Sequence, residues 1–136
     1  MSKSGGNAIA LSASSEQIRS AVKAMFTDPN HLRVEDPGCI EGNVVFTYLD
    51  AFDQEQDGLA ELKAHYQRGG LGDGKIKARL EAILQDLVGP IRQRRAQLAE
   101  DRGYILEVIK EGTARARERT EATKRDVVSA LGLFQL

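Results

Sequence analysis

The sequence predicts an all-α fold of five or six helices, and three features of the chain indicate this. Apolar residues recur at three- and four-residue spacing through most of the 136 residues, as in helices with one buried face. Alternation of apolar and polar residues never extends beyond a few positions, so half-buried strands are not expected. Proline and glycine residues separate the periodic stretches and mark the turns between helices.

The first two helices are predicted on either side of a proline-containing loop. Ser14 or Ser15 can cap a helix in SSEQIRSAVKAMFTD, where Ile18, Val22 and Met25 share one face. The stretch TDPNHLRVEDPGCIEGN holds two Asp-Pro pairs, and we expect a loop because a residue before proline is pushed out of the helical region. EGNVVFTYLDAF could form a strand, but the spacing of its large apolar residues favours a helix.

The remaining helices are predicted from longer periodic stretches. EQDGLAELKAHYQRGG places its apolar residues on one face and stops at a glycine pair. A longer element runs from about Lys75 to Asp101, and Pro90 is expected to kink or divide it. YILEVIKEG predicts a short helix ended by Gly112, and a last helix is predicted over residues 113–131.

The composition places the chain among ordinary globular proteins. With 41% hydrophobic and 29% charged residues and a net charge of −1, it matches neither disordered, fibrous nor membrane proteins. It has no apolar run of about 18 residues and no secretory signal at its start, so we expect a cytoplasmic protein without a membrane partner.

The charges are unevenly distributed. Residues 28–61 contain nine acidic residues and one basic residue, whereas residues 62–126 contain fifteen basic and ten acidic residues. The clusters RQRR and ARARER could be solvated helix faces with ion pairs or a surface that follows phosphates, and charge alone does not choose between them.

Several familiar catalytic or metal-binding patterns are missing. A single cysteine, Cys39, excludes an internal disulfide and a multi-thiolate metal site, and no metal is expected. His31 and His65 lie far apart without neighbouring ligands, which favours surface or core-edge roles. RGGLGDGK lacks the preceding strand and the Walker spacing of a phosphate-binding loop, so a turn between helices is expected. Glu35 and Asp36 adjoin each other in a loop and give acid-base catalysis no specific support.

The opening MSKSGGNAI resembles the second signature loop of class I aminoacyl-tRNA synthetases, Lys-Met-Ser-Lys-Ser, without its first lysine. Further along, AMFTDPN, DPGCIEGN, YQRGGLGDGK, LVGPIRQRR and SALGL follow in an order similar to the C-terminal part of bacterial tryptophanyl-tRNA synthetases. The resemblance covers essentially all 136 residues. It implies a signature loop and exit segment over residues 1–13 and a helical anticodon-binding region over residues 14–136.

The resemblance also implies roles for the loop. A lysine between small hydroxyl residues on a glycine-rich segment can close over a triphosphate and stabilise the charge that develops as pyrophosphate leaves. Lys3 is accordingly the implied catalytic residue. The implied ATP-binding residues are Ser2, Lys3 and Ser4. The residues implied to shape the loop are Gly5, Gly6 and Asn7.

The family's nucleotide-binding catalytic domain precedes this loop and does not occur in the sequence, so we expect this chain alone to be inactive. ATP and Mg²⁺ are implied as substrates of a complete, homodimeric enzyme. Some relatives bind an iron-sulfur cluster through cysteines near the glycine-rich turn. No cluster is expected here, because that segment carries Tyr66, Gly69, Gly72 and Gly74.

The tRNA for tryptophan is the implied partner. Anticodon bases are recognised by hydrogen bonds, stacking and phosphate contacts. The residues implied to contact tRNA are Lys75, Lys77, Arg92, Arg94 and Arg95. Two other interpretations stay open: a free-standing helical module that binds tRNA or a protein without catalysis, and a piece without an independent role whose apolar surface drives self-association.

Overall fold

The computed structural model describes residues 8–133, and within that range it contains five α-helices and no strand. They are α1 (Ser15–Ala24), α2 (Val44–Phe52), α3 (Gln56–Arg68), α4 (Asp73–Glu100) and α5 (Arg102–Ala130). The predicted all-α fold is confirmed. The chain divides into two compact units, one ending at Gln93 and the other beginning at Arg94. None of the helices in the described range is long and apolar enough to cross a membrane.

Helix α1 begins with the predicted serine cap. The Ser14 hydroxyl accepts a hydrogen bond from the Gln17 backbone N–H at 3.2 Å, and the Gln17 side chain accepts one from the Ser14 N–H at 2.8 Å. This reciprocal pair is a capping box, which satisfies two backbone donors that a helix start otherwise leaves unpaired. The start of α1 is therefore fixed locally by its own sequence.

Neither predicted interruption divides a helix. Helix α4 continues through Pro90 as one element, and α5 continues through Gly112. Pro90 is exposed, so water can reach the carbonyl that its missing N–H leaves free. Gly112 costs a helix only about 1 kcal/mol relative to alanine. Because good helix formers flank it, that cost is too small to end α5.

The core of the first unit gathers around Tyr66, whose side chain is fully buried at the end of α3. Its ring meets His31 edge-on at a centroid distance of 4.7 Å and Phe46 at 5.1 Å. Such edge-to-face pairs add about 0.5–1.5 kcal/mol beyond area burial. The buried hydrophobic residues are Ala13, Ile18, Val22, Val45, Phe46, Leu49, Leu59, Tyr66, Leu71, Ile76, Leu80, Leu84 and Val88.

The loop between α1 and α2 is held against the C-terminal end of α3 by backbone hydrogen bonds. The Gly38 N–H donates to the Tyr66 carbonyl at 2.9 Å, and the Gly70 N–H donates to the Val34 carbonyl at 2.6 Å. Gly69 lies between them with φ +85° and ψ 165°, a region that is essentially restricted to glycine. The glycine pair thus ends α3 and also permits the close approach of the loop.

Asp73, the first residue of α4, joins three segments of the first unit. Its carboxylate accepts hydrogen bonds from the Thr27 hydroxyl at 2.5 Å, His31 Nδ1 at 2.8 Å and the Tyr66 hydroxyl at 2.8 Å. The His31 side chain is only 2% exposed. A negative charge at the start of a helix is also favoured by the helix dipole. We call Thr27, His31, Tyr66 and Asp73 the Asp73 cluster.

The pKa values of the cluster reflect this arrangement. Burial raises the pKa of Asp73, but the hydrogen bonds from Thr27, Tyr66 and His31 outweigh burial and hold that pKa below its usual range. Burial, with the neighbouring Asp73 carboxylate, raises the pKa of the Tyr66 hydroxyl. The cluster is therefore built around an ionised carboxylate and a neutral phenol.

The second unit has a different character. None of the residues of α5 is buried, and many of its apolar side chains face solvent. The large exposed hydrophobic residues from Leu98 onward are Leu98, Tyr104, Ile105, Leu106, Val108, Ile109, Val127, Leu131 and Leu133. Packing of α5 within the unit therefore leaves much apolar surface uncovered.

We predict that Gly69→Ala destabilises the first unit more than Gly42→Ala does. A β-carbon at Gly69 would stand 2.2 Å from the Glu35 carbonyl oxygen, whereas one at Gly42, with φ +75°, would meet nothing within 4 Å. Gly42→Ala should cost about 1 kcal/mol from backbone strain, and Gly69→Ala more than about 2 kcal/mol. Urea unfolding measures both values, and equal losses would contradict the close packing at Gly69.

We also predict that Asp73→Ala weakens the fold at neutral pH and flattens its acid dependence. The lowered pKa of Asp73 stabilises the folded state above the ordinary carboxyl pKa, and this contribution disappears as pH falls through the folded-state value. The variant should lose about 2 kcal/mol near pH 7 and lose less further stability than the unsubstituted chain between about pH 5 and pH 2.

The matched control is Asp86→Ala, since Asp86 is exposed on the same helix. Urea unfolding as a function of pH should give the same acid slope for this variant as for the unsubstituted chain. Parallel pH curves for the Asp73 and Asp86 variants would contradict the role of the Asp73 carboxylate.

Candidate functional site

The predicted signature-loop residues lie outside the part of the chain that the structure describes. They are Ser2, Lys3, Ser4, Gly5, Gly6 and Asn7. Their assignments to catalysis, ATP binding and loop shape stay predictions. The described chain begins with Ala8, so it includes the segment that follows the loop.

That following segment, residues 8–15, leads directly into α1. The Ala13 N–H donates to the Ala10 carbonyl at 2.9 Å, which forms a tight turn ahead of the capping box. Arg92 of α4 donates from Nη1 to the Ala13 carbonyl at 2.7 Å and from Nη2 to the Ser15 hydroxyl at 3.3 Å. Gln85, two turns earlier on α4, donates to the Ser15 carbonyl at 2.8 Å. The end of the segment is therefore fastened to α4 at three points.

Two of the five predicted tRNA-contacting residues have intramolecular partners. Arg92 binds Ala13 and Ser15. Lys77 donates from Nζ to the Lys23 carbonyl at 2.8 Å, close to the C-terminal end of α1. Both cations thus satisfy backbone carbonyls of the first unit, and an RNA phosphate would have to displace those bonds.

The other three predicted tRNA-contacting residues are exposed. Lys75 lies in the first turn of α4 in the first unit, and Arg94 and Arg95 begin the second unit. Within residues 8–133, none of their side chains makes an ion pair or a hydrogen bond. Their charges are available to an anionic ligand.

Arg79 lies on the same helix as Lys75, but its guanidinium is occupied. It donates from Nε to Asp53 at 2.6 Å and from Nη2 to Glu55 at 3.0 Å. The Asp53 side chain is 4% exposed, and the hydrogen bond from Arg79, opposed by burial, holds the pKa of Asp53 below its usual range. Asp53 and Glu55, with Asp86, line an open groove of about 680 Å³.

A metal centre is not assembled in the part of the chain described. No group of three or more His, Cys, Asp or Glu side chains comes together among residues 8–133. Cys39 is exposed, and its backbone N–H donates to the Asp28 carboxylate at 2.8 Å. His65 is exposed on α3, whereas His31 is buried at the edge of the core.

Sequence reasoning missed the Asp73 cluster. The sequence predicts His31 at the surface or the core edge and Tyr66 on the apolar face of a helix, without a link between them. The available signal was local: Asp73 follows a glycine at a helix start, where an acidic residue is favoured. Nothing in the spacing along the chain links Asp73 to Thr27 or His31, which lie 46 and 42 positions away.

Comparison with known proteins supports a single family. A family model described as tRNA synthetases class I (W and Y) matches residues 1–89. The chain is 48% identical over 133 residues to a tryptophan–tRNA ligase of Clostridium longisporum and 49% identical over 135 residues to one of Streptococcus pneumoniae. Each match covers 98% of this chain and 39% or 40% of the relative. The chain therefore spans about two fifths of the length of these relatives.

The fold is also similar to that of a solved relative. A crystal structure of tryptophanyl-tRNA synthetase from Campylobacter jejuni matches 98% of this chain with a TM-score of 0.77 and 26% sequence identity, covering 42% of that protein. A second structure of the same protein, complexed with ADP and tryptophan, matches equally well and is covered to 41%. By the family model, the sequence identities and the fold, the chain belongs to the class I tRNA synthetases of the tryptophan and tyrosine group.

Proposed function

We propose that this chain acts as the C-terminal part of a tryptophan–tRNA ligase and contributes the signature loop and the tRNA-binding region. The observation that carries this proposal is the identity of 48–49% to tryptophan–tRNA ligases across 98% of the chain. The family model begins to match at residue 1 and so includes the loop. The complete ligase, a homodimer in the cytoplasm, would include a nucleotide-binding domain and use tryptophan, ATP with Mg²⁺ and the tRNA for tryptophan as substrates.

The loop lysine acts in the first chemical step. A carboxylate oxygen of tryptophan attacks the α-phosphorus of ATP, and the bond from that phosphorus to the pyrophosphate oxygen breaks. Negative charge grows on the departing pyrophosphate, and the Lys3 ammonium stabilises it with help from the Ser2 and Ser4 hydroxyls and the backbone at Gly5, Gly6 and Asn7. Because this interaction strengthens in the transition state, Lys3 affects turnover more than tryptophan affinity.

The exposed cations are suited to tRNA. Arginine presents a planar fork that binds phosphate through two hydrogen bonds, and its flat face stacks on unpaired bases. We assign the tRNA contacts primarily to Lys75, Arg94 and Arg95, whose side chains are exposed. Lys77 and Arg92 could contribute only after releasing backbone carbonyls.

We predict that Lys3→Ala lowers the rate of aminoadenylate formation about 100-fold with little change in tryptophan KM, the usual scale for losing one group that stabilises transition-state charge. The assay is ATP–pyrophosphate exchange in a hybrid ligase, in which this chain replaces the 135 matching residues of the Streptococcus pneumoniae relative. The control is Lys23→Ala, because Lys23 is an exposed lysine on α1. Equal activity of the two variants would overturn the role given to Lys3.

We predict that the double substitution Arg94→Ala, Arg95→Ala weakens tRNA binding and its salt dependence. If both arginines contact phosphates, the slope of log affinity against log salt should fall by about 1.5. The matched control, Arg115→Ala with Arg117→Ala, removes the same charge from exposed positions on α5. Filter binding of the full chain to the tRNA for tryptophan measures both slopes, and identical losses would show that only total charge matters.

A further inference from the structure

The side chain of Arg92 links α4 to the segment that follows the signature loop. Its guanidinium reaches the Ala13 carbonyl at 2.7 Å and the Ser15 hydroxyl at 3.3 Å. Ala13 is itself buried in the core, with 6% of its surface exposed. The Arg92 side chain therefore binds both Ala13, which precedes the helix cap Ser14, and Ser15, the first residue of α1.

A second contact fastens the same segment. Gln85 Nε2 donates to the Ser15 carbonyl at 2.8 Å, and the capping box between Ser14 and Gln17 fixes the residue between the two anchors. Ile9 also packs against the core. Arg92, Gln85 and Gln17 thus each hydrogen-bond to the stretch from Ala13 to Ser15, although Ser14 and Ser15 are exposed to solvent.

The chemistry of Arg92 suits an anchor better than a sensor of RNA. Guanidinium keeps its charge at all physiological pH values, and a bond from a charged donor to a carbonyl is stronger than one between neutral groups. Because the guanidinium is planar and rigid, its two Nη atoms fix both the distance and the relative orientation of the Ala13 carbonyl and the Ser15 hydroxyl. Two further side-chain contacts join α4 to α1, Arg19 with Glu81 and Lys77 with the Lys23 carbonyl, and neither reaches Ala13 or Ser15.

We propose that Arg92 is a positioning residue for the signature loop: it holds Ala13 and Ser15 against α4 and so fixes the backbone of the segment that follows the loop. The inference rests on the proposed function for its catalytic consequence. It assigns Arg92 a role different from tRNA contact. Gln85 supports Arg92 by donating a hydrogen bond to the Ser15 carbonyl.

The first arm of the test measures the anchor in the full chain. Hydrogen exchange is followed at the backbone amides of Ala13, Ser14 and Gln17, which are bonded in the turn and the capping box. Arg92→Ala should speed their exchange about tenfold and leave core amides of α3 unchanged. Arg19→Ala is the matched control and should have no such local effect. Unchanged exchange, or equal acceleration throughout the first unit, would overturn the anchor.

The second arm measures the consequence for catalysis in the hybrid ligase. Arg92→Ala should lower kcat for pyrophosphate exchange about tenfold without changing tryptophan KM, and Arg92→Lys should recover part of the loss, since an ammonium can still donate to the Ala13 carbonyl. If Arg92 acts through Lys3, the variant that lacks both side chains should lose less than the product of the two single losses. Fully multiplicative losses would overturn the positioning role.

The two proposals fail in different ways. An inactive hybrid with Arg92 in place, or one that Lys3→Ala does not affect, counts against the proposed function, and the exchange arm then decides alone whether Arg92 holds the segment. A hybrid that depends on Lys3 but tolerates Arg92→Ala leaves the proposed function intact and overturns the positioning role.

Discussion

The Asp73 carboxylate is the interaction on which the first unit depends. It brings together the loop after α1, the C-terminal end of α3 and the first turn of α4 through hydrogen bonds from Thr27, His31 and Tyr66. A buried polar group is costly unless it is bonded, so these hydrogen bonds satisfy the Tyr66 hydroxyl and His31 Nδ1 as well as the Asp73 carboxylate. The cluster lies at the first residue of α4. Since Gln85 and Arg92 lie on α4, it also supports the anchor of the segment that follows the signature loop.

Within residues 8–133, some basic side chains bind carboxylates or carbonyls, and others are exposed without such a partner. Four basic side chains hydrogen-bond to carboxylates or backbone carbonyls and so stabilise contacts within the first unit: Arg19, Lys77, Arg79 and Arg92. Lys75, Arg94 and Arg95 are exposed. A count of basic residues along the chain could not separate these groups, because pairing depends on contacts between distant positions.

Much of the fold could be predicted from the sequence because its determinants are local. Three predicted features depend only on residues close to them in sequence, and the structure contains all three: the Ser14 cap, the proline-containing loop and the glycine stop after α3. The helix end expected at Gly112 is wrong, because an interior glycine costs only about 1 kcal/mol relative to alanine. At Pro90 the helix is not divided, and α4 continues as one element. The bonds from Thr27 and His31 to Asp73 and the contacts of Arg92 join positions 42 to 79 residues apart, and periodicity carries no information about such pairs. The resemblance to the family, by contrast, rested on short motifs in order and identified the family that the comparisons support.

We propose that this chain binds the tRNA for tryptophan in preference to other tRNAs. The most direct measurement is a titration of the full, unsubstituted chain with that tRNA and with a tRNA of different anticodon, at about 50 mM and 200 mM salt. We predict tighter binding of the tRNA for tryptophan at both salt concentrations, since contacts to bases are less sensitive to salt than contacts to phosphates. Weak, equal binding of the two tRNAs that disappears at the higher salt concentration would contradict it.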